Sequence, residues 1–101
     1  MTAYLIVRAQ VQDADREAFD HWYETEHLPE ALRDFEALSA RRGWSATEPA
    51  CHLAFYEFPD LAAANAIQDS DAIKALVAEF DRCWQDRVKR SREVVEIVQS
   101  L

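Results

Sequence analysis

Apolar and polar residues alternate in two segments of the sequence, and this alternation predicts β-strands. In residues 3–11 one face is entirely apolar, while the other face still carries Tyr4 and Ile6. A period of two is the spacing of side chains along a strand. Residues 51–58, CHLAFYEF, are rich in the aromatic residues that strands favour. Each segment is therefore predicted to be a strand with large apolar groups on both faces of a sheet.

A helical spacing follows the first strand. Four ring-bearing residues are placed at i, i+3, i+4 and i+8 and share one stripe of a helix predicted over residues 14–26 and its end: Phe19, Trp22, Tyr23 and His27. Pro29 disfavours helical geometry at the residue before it. We therefore expect a kink at His27, followed by a short second helix over residues 28–35.

The rest of the chain completes a recognisable order of elements. Its patterns predict strand, strand, helix, helix and strand over residues 38–44, 51–58, 61–67, 70–84 and 94–98. A basic segment before the last strand is expected to be a solvated linker. The two strand–helix–strand halves describe a ferredoxin-like α+β sandwich (βαββαβ) formed by a single domain, residues 1–101, with an antiparallel four-stranded sheet.

The sheet of such a sandwich is covered by helices on one face only. Here the first strand and residues 51–58 carry large apolar groups on both faces, so a single copy would leave an apolar patch in water. The simplest arrangement that covers the patch is a two-fold homodimer, packed sheet against sheet.

Charge excludes several classes of partner. The chain has 19 acidic and 11 basic residues, for a net charge of −8, whereas nucleic acids and anionic membranes require clustered positive charge. A single glycine, Gly43, excludes a glycine-rich phosphate-binding loop. No apolar run approaches the roughly 20 residues that span a bilayer. We therefore expect neither a nucleic-acid nor a membrane partner.

The cysteines and the first residues bear on the compartment. Cys51 and Cys83 do not form a CxxC pair. The first 13 residues, MTAYLIVRAQVQD, lack the basic start and the small-residue cleavage site of a secretion signal. We therefore expect a cytoplasmic protein with two free thiols.

His27 is the first candidate for chemistry. Its imidazole titrates near neutral pH and so suits proton transfer, and Tyr23, one turn earlier, could donate a hydrogen bond to a substrate oxygen. Phe19 and Trp22 could form an apolar wall. The alternative is a histidine that caps the helix and packs on Leu28.

Two further residues are candidates for substrate contact. His52 is either a second pocket group or a core histidine whose hydrogen bonds are satisfied. Trp44 could line the pocket, the core or the dimer contact. A metal site is not expected, because His21 and His27 are six residues apart and point about 120° away from each other on a helix.

Residues 19–30, FDHWYETEHLPE, resemble the motif of EthD-like proteins, in which a helix carries Phe, then Trp or Tyr, then His followed closely by Pro. The wider group is the dimeric α+β barrel superfamily, with antibiotic-biosynthesis monooxygenases, muconolactone isomerases and small polyketide cyclases. The resemblance implies a homodimeric barrel with a pocket in each subunit. It also implies chemistry on hydrophobic aromatic or enolic molecules without metal or organic cofactor. By the same resemblance, His27 stands at the motif histidine and Tyr23 at its aromatic partner.

Two functions remain open at this point. One is a small cofactor-independent enzyme of monooxygenase, isomerase or cyclase type, in which His27 and Tyr23 are catalytic. Phe19, Trp22, His52 and Trp44 would then contact the substrate. The other is a non-catalytic dimeric protein that binds a small molecule or serves as an accessory protein.

Overall fold

The computed structural model describes all 101 residues and contains one four-stranded sheet with helices packed on it. Its elements are β1 (Ala3–Val11), α1 (Asp13–Trp22), α2 (Leu28–Asp34), β2 (Ser39–Trp44), β3 (Cys51–Phe58), α3 (Leu61–Gln68), α4 (Asp71–Trp84) and β4 (Val88–Glu96). A π-helical turn, Tyr23–His27, joins α1 to α2, and a 3-10 turn, Gln85–Arg87, precedes β4. No helix has both the length and the apolar character needed to cross a membrane.

The strands are antiparallel and lie in the order β2-β3-β1-β4, as the ferredoxin-like prediction requires. β1 and β3 are the central pair, and Leu5 of β1 lies opposite Tyr56 on one side and Val94 on the other. Alternate residues of these strands are buried beneath the helices. The core therefore lies between one face of the sheet and the helical layer.

The other face of the sheet has no helix over it. It carries a band of half-buried apolar side chains, which we call the open face: Tyr4, Ile6, Leu53, Phe55 and Val95. The two-faced apolar character expected of β1 and β3 is therefore present in the folded chain.

The last strand begins six residues earlier than predicted. Residues 85–93 were expected to be a basic linker, but β4 starts at Val88 and pairs with the whole length of β1, from Val11 down to Ala3. The prediction was wrong because Arg90 and Arg92 share the face of the strand that carries Val88 and Val94, and they interrupt its apolar alternation. The free edge of β1 supplies the backbone partners that the side-chain pattern does not reveal.

The kink expected at His27 is a π-helical turn. Leu28 keeps helical dihedral angles, φ −65° and ψ −46°, and its N–H bonds to the carbonyl of Tyr23, five residues earlier. Pro29 has no N–H, and its ring would clash with the carbonyl four residues before it, in a regular helix. A π turn widens the helix at this point. His27 therefore lies inside a continuous helical segment and not at an open helix end.

Side-chain caps fix the starts of the later helices. Asp60 accepts a hydrogen bond from the N–H of Ala63 at 2.8 Å, and Ser70 accepts one from Ile73 at 3.2 Å. Each cap satisfies an N–H that has no partner within its helix. Both cysteines are free thiols, as expected.

Candidate functional site

The His27 ring is held between aromatic side chains. It is only 8% exposed, stacks on Trp22 with ring centroids 4.5 Å apart, and meets the edge of Tyr23 at 4.7 Å. The π turn places Tyr23 and His27 on the same buried side of the helix. The Nδ1 atom of His27 is buried and has no hydrogen-bond partner, so one polar atom of the ring is free for a further interaction.

His27 lines a cavity between the helices and the sheet. The cavity has about 40 Å³ of water-accessible volume, and about 370 Å³ of empty space when its open mouth is included. The smaller volume is room for about three water molecules, so an aromatic ligand would occupy the open mouth as well as the enclosed part. Eleven residues line it: Leu5, Val7, His27, Phe35, Tyr56, Ile73, Leu76, Val77, Phe80, Arg90 and Arg92. The wall is therefore mostly apolar, with an imidazole, a phenol and two guanidinium groups.

The surroundings of His27 keep its imidazole neutral. Burial, and secondarily the positive charge of Arg90, lower the pKa of His27 from 6.5 to about 4. The ring is therefore unprotonated at pH 7 and can accept a proton from a ligand in the cavity. In its resting state it holds no second proton to serve as an imidazolium acid.

Tyr23 lies behind the cavity wall and not in it. Its side chain is 1% exposed, and its hydroxyl lies 3.4 Å from the hydroxyl of Tyr56, which does line the cavity. Burial raises the pKa of Tyr23 to about 12, so the phenol keeps its proton at neutral pH. Tyr23 can therefore act on a ligand only indirectly, through Tyr56 or through its edge contact with His27.

The two residues predicted to form an apolar wall have different places. Phe19 is fully buried at the centre of an aromatic cluster and lies between the rings of Tyr23, His52 and Trp84. Trp22 is half-buried and backs the His27 ring. Neither residue lines the cavity, but both fix the position of residues that do.

His52 and Trp44 belong to a separate polar cluster on the same helix-covered face of the sheet, on β3 and β2. Arg42 donates to Nε2 of His52 at 3.3 Å and pairs with Asp20 at 2.9 Å, and the Trp44 indole N–H donates to Asp20 at 2.8 Å. His52 is 0% exposed, and burial, with the charge of Arg42, lowers its pKa to about 4. Two aromatic rings join this cluster to the His27 cavity: Tyr23 is 4.4 Å from His52, and Phe19 is 5.2 Å from His52 and 6.0 Å from Phe80, which lines the cavity.

Trp44 also faces a surface groove of its own. The Arg16 guanidinium lies 4.0 Å above its ring, and the other groove residues are acidic: Asp13, Glu17 and Asp20. Of the six predicted site residues, only His27 lines the cavity. The other five lie outside its lining: Tyr23, Phe19, Trp22, His52 and Trp44. No three histidine, cysteine, aspartate or glutamate side chains converge to hold a metal ion.

Sequence reasoning missed the two arginines of the cavity. Arg90 and Arg92 lie in the segment that was interpreted as a solvated linker. The signal was the spacing of alternate residues, because Arg90 and Arg92 fall between Val88 and Val94 on one face of β4. Extending the strand to Val88 would have placed both guanidinium groups on the helix-covered side.

Comparisons with known proteins bear on the fold. No protein family is matched by the sequence, and no curated protein matches it. Among solved structures, an EthD family protein from Bacillus halodurans has a TM-score of 0.73 at 16% identity, over 97% of this chain and 100% of that one. SnoaB from Streptomyces nogalater, described as a cofactor-independent oxygenase, has a TM-score of 0.69 at 11% identity, over 99% and 96%.

A third solved structure is described by its fold. It is a dimeric ferredoxin-like protein from an uncultured marine organism, with a TM-score of 0.59 at 16% identity, over 99% of this chain and 98% of that one. The chain has the ferredoxin-like α+β fold of these proteins. The predicted fold class, and the structural likeness to EthD-like proteins that residues 19–30 implied, are both confirmed.

Proposed function

We propose that the protein is a small enzyme that removes a proton from an apolar aromatic or enolic molecule, with His27 as the base and without metal or organic cofactor. The observation that carries this proposal is a neutral imidazole in the wall of a mostly apolar cavity, next to a fixed guanidinium group. A buried histidine in a solid core would have no ligand to act on.

Two residues of the cavity would take part in the reaction: His27 would accept the proton, and Arg90 would stabilise the negative charge left on the substrate. His27 takes a proton from a C–H beside a carbonyl, or from a phenol O–H, and the electron pair of that bond stays on the substrate as an enolate or phenolate. Arg90 lines the same cavity, and a preorganised positive charge there would stabilise the developing anion in the transition state. The anion can then be reprotonated elsewhere, attack an internal carbonyl, or react with dioxygen.

The low pKa of His27 is compatible with a role as a base in this reaction. Burial of the ring and the positive charge of Arg90 both disfavour the imidazolium. An anion formed in the cavity opposes the charge of Arg90 and favours the protonated ring. The basicity of His27 therefore rises as the proton is transferred, which is when a general base needs it.

Tyr56 supplies the hydrogen-bonding group at the cavity, and Tyr23 positions it. The two hydroxyls share one hydrogen bond, and the phenol of Tyr56 is 1% exposed with a pKa raised by burial. A neutral phenol can donate to a substrate oxygen. Tyr23 thus keeps a part in the site, but as a positioning residue.

The structural neighbours support the general kind of activity. SnoaB is described as a cofactor-independent oxygenase, and two further neighbours are described as antibiotic biosynthesis monooxygenases, one of them putatively. All are less than 25% identical to this chain, so they support a reaction class and not a substrate.

A homodimer is part of the proposal. The open face presents aromatic and aliphatic side chains that a second copy would cover, and the neighbour from the marine organism is described as dimeric. Pairing of the two open faces would close the sheets into a barrel and leave the His27 cavity on the outer, helix-covered side of each sheet.

Hydrogen–deuterium exchange tests the chemistry directly. 2-Tetralone is an apolar aromatic ketone with an acidic C–H, and NMR in D₂O measures the loss of that proton. We expect the protein to accelerate exchange over matched buffer and His27→Gln to lose about 10² to 10⁴ of the acceleration. His21→Gln, at an exposed histidine of the same helix, is the matched control.

Two results would contradict the proposal. If His27→Gln exchanges the proton as fast as the unmodified protein, His27 is not the base. If 2-tetralone binds at the cavity but exchanges no faster than in buffer, the cavity binds a ligand without this chemistry, as the non-catalytic alternative predicts.

A further inference from the structure

The His27 cavity carries two positive charges in a wall that is otherwise almost entirely uncharged. Arg90 and Arg92 lie two residues apart on the helix-covered face of β4. No acidic residue is among the eleven that line the cavity. The chain as a whole is acidic, with a net charge of −8. The positive cavity wall therefore differs from what the overall composition would give.

The positive charges are only partly compensated by neighbours. Arg92 makes no ion pair, and its Nε donates to the neutral Oε1 of Gln68 at 2.6 Å. Arg90 pairs with Asp81 at 3.0 Å, but the Asp81 side chain is 60% exposed, so its carboxylate is largely solvated. Arg90 also packs over the ring of Phe80 at 4.4 Å, which holds its guanidinium against the cavity wall. The cavity wall therefore carries two guanidinium charges beside an apolar surface.

We propose that Arg90 and Arg92 form a carboxylate-binding site, so that the ligand of this cavity is an apolar, aromatic acid in its anionic form. This inference deepens the proposed function and rests on it for the identity of the substrate cavity. Guanidinium groups donate paired, planar hydrogen bonds that match a carboxylate. The apolar part of the ligand would contact Leu76, Val77 and Phe80.

The affinities of the unmodified protein for an aromatic acid and for its neutral amide test this site. Benzoate and benzamide have nearly the same shape and differ in charge. In NMR titrations of the ¹⁵N-labelled protein, we expect benzoate to bind at least tenfold more tightly than benzamide. The signals of Arg90, Arg92 and His27 should shift, and added salt should weaken benzoate binding alone. Equal affinities, or no binding of benzoate, would overturn the proposal.

A matched pair of variants tests whether benzoate binding depends on Arg92 itself or only on the total positive charge of β4. Arg92→Gln and Lys89→Gln each remove one positive charge from β4. Both side chains are exposed, but Lys89 lies on the opposite face of the strand and does not line the cavity. We expect Arg92→Gln to weaken benzoate at least tenfold and to leave benzamide unchanged, while Lys89→Gln changes neither. An equal loss in both variants would mean that long-range charge, and not a built site, attracts the anion.

The binding test is independent of turnover. Benzoate should bind to His27→Gln with the same preference over benzamide, because the two arginines remain. If the protein does not accelerate hydrogen exchange of 2-tetralone but still prefers benzoate to benzamide, the carboxylate site is supported and the proposed chemistry is wrong. If exchange succeeds while benzoate and benzamide bind equally, the chemistry stands and the carboxylate site falls.

Discussion

Lowering the pH from 7 to 5 should destabilise this protein, because His27 is buried as a neutral ring. Its pKa is about 4 in the folded chain, against 6.5 for the unperturbed side chain. Between these two values the unfolded chain binds a proton that the folded chain does not. The stability associated with the neutral ring is fully present above pH 6.5 and is lost as the pH falls towards 4.

The size of the effect follows from the two pKa values. Each unit of pKa difference corresponds to about 1.4 kcal/mol, so the full loss for His27 is about 3 kcal/mol. At pH 5 the unfolded ring is almost fully protonated and the folded ring almost neutral, which gives a loss of about 2 kcal/mol. His52 is also buried with a pKa of about 4 and adds a loss of similar size.

Urea denaturation at pH 7, 6 and 5, followed by far-UV circular dichroism at one protein concentration, measures this loss. The free energy of unfolding should fall by several kcal/mol in the unmodified protein. The fall should be about 2 kcal/mol smaller in His27→Gln, which has no imidazole to protonate. Asp20 does not interfere, since its hydrogen bonds to Arg42 and Trp44 hold its pKa below 3.8, outside this range.

The control is His21→Gln, because substitutions at exposed positions such as His21 usually change stability by less than about 0.5 kcal/mol. If His27→Gln loses as much stability between pH 7 and pH 5 as the unmodified protein, His27 is not buried as a neutral ring. The description of the cavity wall, and the use of His27 as its base, would then be wrong.

Two further predictions concern the tyrosine pair and the open face. Tyr23→Phe should lower the free energy of unfolding by about 1–3 kcal/mol in urea denaturation, because it leaves the hydroxyl of Tyr56 without a partner. The double variant Tyr23→Phe/Tyr56→Phe should lose less than the sum of the two single variants. Strict additivity would show that the hydroxyls do not interact. Phe55→Glu should convert a dimer to a monomer in sedimentation, because it buries a charge in the proposed interface, whereas Glu17→Gln, on exposed α1, should not. A monomer before any substitution would refute the homodimer.

Residues whose role depends on local spacing were predicted well. Alternation identified β1 and β3, the stripe of rings identified the buried side of α1, and the order of elements identified the fold. These patterns are visible because a strand or helix repeats its buried side every two or 3.6 residues. His27 was found for the same reason, since it continues the stripe that begins at Phe19.

Residues whose role depends on a distant partner were not predicted. Arg90 and Arg92 have the composition of a solvated segment, and only pairing with β1 turns them towards the cavity. The π turn arises from the conflict between Pro29 and a helix that tertiary packing continues past it. Tyr23 was expected to face a substrate, but it instead contacts Tyr56, 33 positions away.

The sequence by itself determined the order of strands and helices, the two-sided apolar character of the central strands and the aromatic stripe that contains His27. Each of these follows from the interval at which one chain segment buries its side chains. The tertiary structure alone decided which polar groups share the cavity, because His27, Tyr56 and Arg90 come from three segments that meet only when the helices pack on the sheet. It also decided the protonation state of His27, since burial and the charge of Arg90 exist only in the folded chain.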